Sequence, residues 1–344
     1  MGTSQETNGR ALRRNAARRR TALVTGAGGF IGGHLVGALL AEGFSVRAVD
    51  RKSPDRWYQA HEGAESLELD LSAADACARA VRGIDDVYNL AADMGGMGFI
   101  ESSRAACMLS VLISTNMLVA ARDEGVGTFF YSSSACVYPV QQQDTPDVAP
   151  LEESDAYPAM AEDGYGWEKL FSERMCRHFS EDFGLETRVA RYHNVYGPHG
   201  TFEGGREKAP AAICRKVAEA ALTGGDSLEI WGDGKQTRSF MYIDDCIEGT
   251  LRIARGPRLE PLNLGTSELV TINELVDAVE DVAGTKLRRD YNTDAPQGVR
   301  GRNSDNTLIK RHLGWEPTIP LREGIAPTYA WIHEQLRARA PVSA

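Results

Sequence analysis

The stretch Thr21-Ala22-Leu23-Val24-Thr25-Gly26-Ala27-Gly28-Gly29-Phe30-Ile31-Gly32 decides the fold. Its first half is a short apolar run ending in glycine, which reads as a buried strand. Apolar residues at helical spacing then run over 30–42, so the glycines form a turn between a strand and a helix. Gly26, Gly29 and Gly32 give the spacing G-x-x-G-x-x-G. Lacking side chains, they let the backbone approach a pyrophosphate, and the partial positive charge of the helix N-terminus favours an anion there. A glycine triplet alone is weak evidence; the strand–turn–helix context strengthens it. With Phe30 and Ile31 between them, these glycines are the expected dinucleotide cradle. Asp50 ends the next apolar run, 18 residues after Gly32. A carboxylate there binds both ribose hydroxyls of NAD and repels the extra phosphate of NADP, with Arg51 beside it as an opposing charge. Asp70 is a candidate for the adenine edge, although an acidic residue at a strand end is as often a solvated cap.

Working outward, Ser45–Asp50, 66–71, 87–92, Thr128–Ser134 and 187–192 read as further strands. Helical segments separate most of them, including two long ones at about 101–124 and 159–183. Strands alternating with helices predict an α/β fold, a doubly wound parallel sheet of the Rossmann kind. Beyond residue 197 glycine-rich loops interrupt shorter elements. The expected organisation is an NAD-binding domain over 21–197 with segments returning near 236–265. A smaller, mixed α/β substrate-binding region is expected from 198–235 and 266–338.

The bulk numbers narrow the partners. The 344-residue chain is 42% hydrophobic and 25% charged, with a net charge of −10. Such an acidic protein repels nucleic acid and anionic membranes, so a phosphate-bearing ligand needs a local basic patch. No run of about 18 apolar residues is present, and no membrane span is expected. Six scattered cysteines, with no C-x-x-C pair or histidine cluster, argue against a metal site. They suit reduced thiols and a cytoplasmic location. Residues 1–20 carry six arginines and no apolar core, so they read as a disordered basic arm rather than a secretory signal.

Tyr165 and Lys169 form Y-x-x-x-K, a spacing that shares one helix face. A phenol, with pKa near ~10, is a poor base at neutral pH. A neighbouring ammonium favours the phenolate, which can take a proton from a sugar hydroxyl while hydride leaves the same carbon. Alone the motif is frequent by chance. Here it follows Ser132-Ser133-Ser134 at a strand end, where Ser134 can hold the same hydroxyl. Ser134, Tyr165 and Lys169 resemble the Ser–Tyr–Lys set of short-chain dehydrogenases.

More restricted phrases sharpen the resemblance: AADMGGMGFI (Ala91–Ile100), SSSACVYP (Ser132–Pro139), RYHNVYGPHGTFEGGREKAP (Arg191–Pro210), WGDGKQTRSF (Trp231–Phe240) and GVRGRNSDN (Gly298–Asn306). Through these the chain, from about residue 21 to 335, resembles the GDP-mannose 3,5-epimerase family within the extended short-chain, NAD-dependent epimerase/dehydratases. The resemblance implies oxidation of the mannosyl ring at carbon 4 with NAD. Inversion at carbons 5 and 3 beside the ketone follows, and then return of the hydride. It implies Cys136 and Lys208 as the acid–base pair, a thiol near cations losing its proton more readily than a free one. It makes Gly95, Gly96, Asn194, Glu207, Lys216, Gln236, Thr237, Arg238 and Arg300 candidates for substrate binding, with the cations Lys216, Arg238 and Arg300 facing the diphosphate. Arg206 shares the loop of Glu207 and Lys208. A homodimer through the two long helices is expected from the same resemblance. Two other readings compete. One is a UDP-sugar 4-epimerase or 4,6-dehydratase on the same scaffold, which would not need Lys208 or would want an acidic pair near Cys136. The other is a non-catalytic dinucleotide-binding protein, against which stands the joint presence of Ser134, Cys136, Tyr165, Lys169 and Lys208.

Overall fold

A computed structural model describes residues 19–257 and 260–339; the arm expected over 1–20 lies outside the described residues except for Arg19 and Arg20. The chain opens with β1 (Thr21–Thr25), α1 (Phe30–Ala41), β2 (Ser45–Asp50), β3 (Ala64–Glu68), α2 (Ala74–Val81) and β4 (Asp86–Asn89). There follow α3 (Met97–Ser102), α4 (Arg104–Met108), α5 (Ser110–Glu124), β5 (Thr128–Ser134), α6 (Asp163–Phe183) and β6 (Glu186–Tyr192). Then come β7 (Asn194–Tyr196), α7 (Ala209–Thr223), β8 (Ser227–Trp231), β9 (Thr237–Tyr242), α8 (Ile243–Arg255) and β10 (Leu262–Leu264). The chain continues with β11 (Leu269–Thr271), α9 (Ile272–Ala283), β12 (Arg288–Asn292), β13 (Gly301–Arg302), α10 (Thr307–Leu313) and α11 (Leu321–Arg339).

Seven strands form one parallel sheet in the order β10-β6-β5-β4-β1-β2-β3. Side chains alternate across it: Ala22, Val24, Val46 and Ala48 enter the core under α1 and α8, while Leu23, Val49 and Val87 enter the core under α2, α5 and α6. Burial on both faces explains why these strands read as unbroken apolar runs. The strand order reverses between β1 and β4, which opens a crevice at their carboxyl ends. Thr25 fixes that opening: its hydroxyl donates to Asn89 Oδ1 at 2.8 Å and accepts from the amides of Leu90 and Ala91 at 3.0 Å. Deeper in, Arg191 pairs with Glu173 at 2.8 Å, and Glu173 also accepts from Ser133 at 2.5 Å. This buried, satisfied network holds the end of β5 against α6.

Beyond β6 the remaining strands make smaller sheets. β9 sits between β11 and β13 and also pairs with β7, and β8 pairs with β12. Within 236–265, β10 joins the large sheet and α8 packs on α1, whereas β9 belongs to a small sheet.

Three expectations change. The helix expected over 101–124 is broken into α3, α4 and α5, because Ser103 leaves helical geometry (φ −129°, ψ 37°) and Leu109 forms a turn. The helix expected from 159 starts at Asp163, since Glu162 is still extended at ψ 115°. That delay makes Glu162 a cap residue and turns it toward the site described below. Finally, Arg104–Glu124 is, by length and composition, long and apolar enough to cross a membrane. Ser110, Ser114, Thr115 and Asn116 interrupt its apolar run, which is why the sequence shows no continuous one. In the fold α5 packs against α2 and α6.

Candidate active site

A cleft of about 1040 Å³ occupies the crevice between β1 and β4 and runs on past β5. Gly26, Gly29, Phe30, Ile31, Gly32, Asp50 and Asp70 line one part of it, and Ser134, Tyr165, Lys169 and Lys208 another. The first set fits a dinucleotide. Gly32 sits so close to the turn that a Cβ there would lie 2.2 Å from the Gly26 carbonyl oxygen. Only a bare backbone gives this tight approach of the turn to the α1 N-terminus, where anion-seeking amides gather. Asp50 accepts from the Gly28 amide at 3.1 Å and the Lys52 amide at 2.9 Å, so its carboxylate is held at the rim with lone pairs left for ribose hydroxyls. Asp70 stands near the surface, where hydrogen bonds from Ser72 hold its carboxyl below the usual range. His193, buried in the cleft wall, lies 3.3 Å from Asn263 through Nε2, and its Nδ1 has no hydrogen-bond partner among the described residues. Burial pushes its proton affinity down to about 3, so the ring is neutral.

β5 and α6 assemble the proton machinery. Tyr165 is buried against Cys136, Ile100 and Cys107. Lys169, one helical turn on, donates to the Ser132 carbonyl at 3.0 Å and lies 3.7 Å from Glu168. Its ammonium is 5.6 Å from the Tyr165 ring centroid. The expected pull of this ammonium toward the phenolate meets stronger opposing effects. Burial first, then the neighbouring Cys136 and Glu168, push the phenol well above its usual value, opposed by a hydrogen bond from Ser134. The Lys169 charge is already engaged by a carbonyl and a carboxylate.

Cys136 lies on the short turn Ala135–Val137 that follows β5. Its amide donates to Ser134 Oγ at 3.2 Å, and its carbonyl accepts from the Glu162 amide at 2.8 Å. The thiol is buried, and Arg302 Nη1 is 3.6 Å from Sγ. The cation expected to ease its ionisation is present in Arg302, but it is outweighed. Burial and then Glu162 push the thiol up to about 11, although Arg302 pulls the other way. Lys208 caps the N-terminus of α7 and reaches the cleft. Burial lowers its proton affinity, the opposing pull coming from Cys136. An ammonium at the positive end of a helix is disfavoured further.

The other predicted substrate residues are not brought into the cleft. Lys216 bonds to the carbonyl and carboxylate of Glu229. Arg300 pairs with Asp233 at 3.0 Å. Arg238 is half-buried and donates to the carbonyls of Thr237, Gln297 and Val299. Gln236 bonds to the Trp231 carbonyl, Thr237 to the Pro146 carbonyl, and Asn194 to the Ser239 carbonyl. Glu207 accepts from the Gly205 amide and lies 3.6 Å from Arg215. Gly95 and Gly96 were expected to let the backbone pass a sugar. What they pass is the 206–207 segment: a Cβ on Gly96 would lie 2.3 Å from the Glu207 carbonyl oxygen.

Sequence reasoning missed Arg302, Glu162, Gln143 and His193. Arg302 Nη2 donates to Glu162 at 2.7 Å and its Nε to Gln143 at 2.6 Å, all three being buried. The phrase GVRGRNSDN contains both Arg300 and Arg302, and only the fold tells which one turns inward.

Comparisons with known proteins agree with this geometry. The profile of the NAD dependent epimerase/dehydratase family matches residues 22–265. GDP-mannose 3,5-epimerase 1 of Oryza sativa subsp. japonica is 50% identical over 314 residues, covering 91% of this chain and 82% of that protein. UDP-glucose 4-epimerase of Thermotoga maritima, solved with UDP-glucose, superposes with a TM-score of 0.83 at 27% identity, covering 92% of this chain and 99% of that one. UDP-glucuronic acid 4-epimerase of Bacillus cereus, solved with UDP-glucuronic acid and NAD, superposes at 0.78 with 25% identity, covering 92% and 99%.

Proposed function

This chain belongs to the NAD-dependent epimerase/dehydratase family, and we propose that it epimerises GDP-D-mannose through a 4-keto intermediate, to GDP-L-galactose where carbons 5 and 3 both invert and to GDP-L-gulose where carbon 5 alone does. The observation that carries this reading is that Cys136 packs against Tyr165 while Lys208 lines the same cleft as Tyr165, within electrostatic reach of the thiol. A 4-epimerase needs only the tyrosine. Two more proton-exchanging groups suit a ring that changes at carbons flanking the ketone.

The glycine turn, Asp50, Tyr165 and Lys169 hold NAD in this reading; when bound, NAD supplies the hydride acceptor for carbon 4 and the hydride that returns. Tyr165 takes the proton of the carbon 4 hydroxyl, which Ser134 orients. The ketone acidifies the hydrogens at carbons 3 and 5, and Cys136 and Lys208 exchange protons there from opposite faces of the ring. Burial raises the thiol and lowers the ammonium, so Cys136 holds its proton more tightly than a free thiol and Lys208 releases its own more readily than a free amine. Tuning of this kind suits groups that exchange protons with a substrate.

Incubating the NAD-loaded enzyme with GDP-mannose and following the sugar by NMR tests the reading. The expected products are the two L-sugars. Formation of the carbon 4 epimer alone, or no turnover despite bound NAD, overturns it.

The active form in this reading is a homodimer. Met108 on α4 and Trp167 and Phe171, one turn apart on α6, are exposed, and α4 packs on α6. Exposed apolar side chains of this kind on paired helices mark an interface between subunits. Phe171→Glu is expected to convert dimer to monomer in sedimentation velocity at micromolar concentration. A wild-type enzyme that sediments as monomer under those conditions sinks this assignment.

A further inference from the structure

The mechanism above uses Cys136 but leaves the groups that surround it without a role. Glu162 and Tyr165 face the thiol from α6, and Arg302 faces it from β13. Lys208 at the start of α7 and Arg238 on β9 are within electrostatic reach. The Ser134 hydroxyl is the remaining polar neighbour. Two of these are locked together: Arg302 donates to Glu162 at 2.7 Å and to Gln143 at 2.6 Å, and its remaining nitrogen stands 3.6 Å from the sulfur. Glu162 is fixed from behind, because its amide holds the Cys136 carbonyl. Gly166, one turn further along α6, packs so tightly on that carbonyl that a Cβ would lie 2.1 Å away. The carboxylate and the cysteine therefore move as one unit.

One guanidinium serves two acids in this arrangement. With Glu162 ionised, the Arg302 charge is already compensated. Ionising Cys136 as well would put two anions against the one cation that contacts both, in a buried site where charge–charge terms are large. Arg238 offers little relief, since carbonyls of its own and the neighbouring strand segments occupy its donors.

We propose that Glu162 is a positioning residue for Cys136, which, by engaging the Arg302 guanidinium, leaves that residue a thiol in the resting site. The proposal rests on the reading of Cys136 as one of the proton-exchanging groups, but its test does not need a sugar. The rate of Cys136 alkylation by iodoacetamide in the NAD-loaded enzyme, read at that residue by mass spectrometry, is followed against pH. The midpoint reports thiol ionisation and the plateau reports access, so a change in access alone leaves the midpoint in place.

Glu162→Gln removes the competing anion and keeps the side-chain shape. The midpoint is expected to fall by at least about one pH unit, a rate gain of about tenfold at neutral pH. Glu162→Asp, which restores the charge, is expected to stay near wild type. The other five cysteines, at 0% exposure against 7% for Cys136, report folding by remaining unreactive. An unchanged midpoint in Glu162→Gln overturns the proposal. So does a wild-type midpoint at or below that of free cysteine, about 8.5, a measurement that needs no variant. With GDP-mannose, the limb of the proton-exchange profile that belongs to Cys136 is expected to move down with the alkylation midpoint. A moved midpoint in a protein that never turns over GDP-mannose would defeat the substrate reading and leave the role of Glu162 standing.

Discussion

Tyr165→Phe is expected to abolish hydride transfer while NAD stays bound. The substitution removes one oxygen and keeps the ring, whose packing partners Ile100, Cys107 and Cys136 are left in contact. Lys169 does not depend on the phenol for its place, being anchored by the Ser132 carbonyl and Glu168. The cradle at Gly26–Gly32 is on the other side of the crevice. The loss therefore falls on proton removal from the carbon 4 hydroxyl, and a factor on the order of 10²–10⁴ is expected for a positioned base. Two measurements check it. The nucleotide released on denaturation gives NAD occupancy, expected to persist because the glycine turn, Asp50 and Lys169 remain in place. The 340 nm absorbance after adding GDP-mannose gives hydride transfer, expected to vanish. A variant that keeps a tenth or more of wild-type turnover removes Tyr165 from this role.

The pH behaviour of the wild type follows from the same site. Burial, Cys136 and Glu168 raise the phenol, so it enters the reaction protonated, and the fraction ready to accept a proton grows as pH rises. The oxidation step is thus expected to quicken toward alkaline pH. The phenol has an ordinary affinity in the unfolded chain and a raised one in the fold. Its neutral form is the one folding favours, and that preference is lost as pH rises through the folded value.

Much of the scaffold was legible because the decisive signals are local. The run 21–32 declares strand, turn and helix in order, and burial on both sheet faces makes β1, β2, β4 and β5 read as apolar runs. The breaks at Ser103 and Leu109 were not legible, since neither glycine nor proline marks them; tertiary packing overrides helical spacing there. The cleft residues Gly26, Asp50, Ser134, Tyr165 and Lys169 were legible for the same local reason, each lying at a strand end or at fixed helical spacing. The cations at 216, 238 and 300 illustrate the opposite case. A sequence shows a positive charge but not its partner, and here Glu229, the backbone carbonyls and Asp233 each claim one. Glu162 and Arg302, far apart in the chain, meet only because β13 pairs with β9 and α6 starts late.

Removing either half of the acid–base pair is expected to separate oxidation from inversion. Cys136→Ala takes away the sulfur yet leaves Ser134, Tyr165 and Lys169 untouched, and Lys208→Ala takes away the amine at the head of α7. Each variant should still form NADH and a 4-keto sugar from GDP-mannose, because neither side chain takes part in that step. Inversion should fall by a factor on the order of 10²–10⁴. Cys136→Ser is expected to be nearly as impaired as Cys136→Ala. A hydroxyl holds its proton far more tightly than a thiol, even one that burial and Glu162 have pushed up to about 11. Deuterated water makes the separation visible. The wild type is expected to place deuterium at carbon 5, and at carbon 3 where both centres invert, while each variant should place little or none at the blocked centre. Ordinary inversion by Cys136→Ala would strip that residue of its role without touching the fold or the cofactor site. Turnover by the wild type with no deuterium in the ring would dispose of proton exchange altogether, since no ring hydrogen next to the ketone could then have passed through an ionisable side chain.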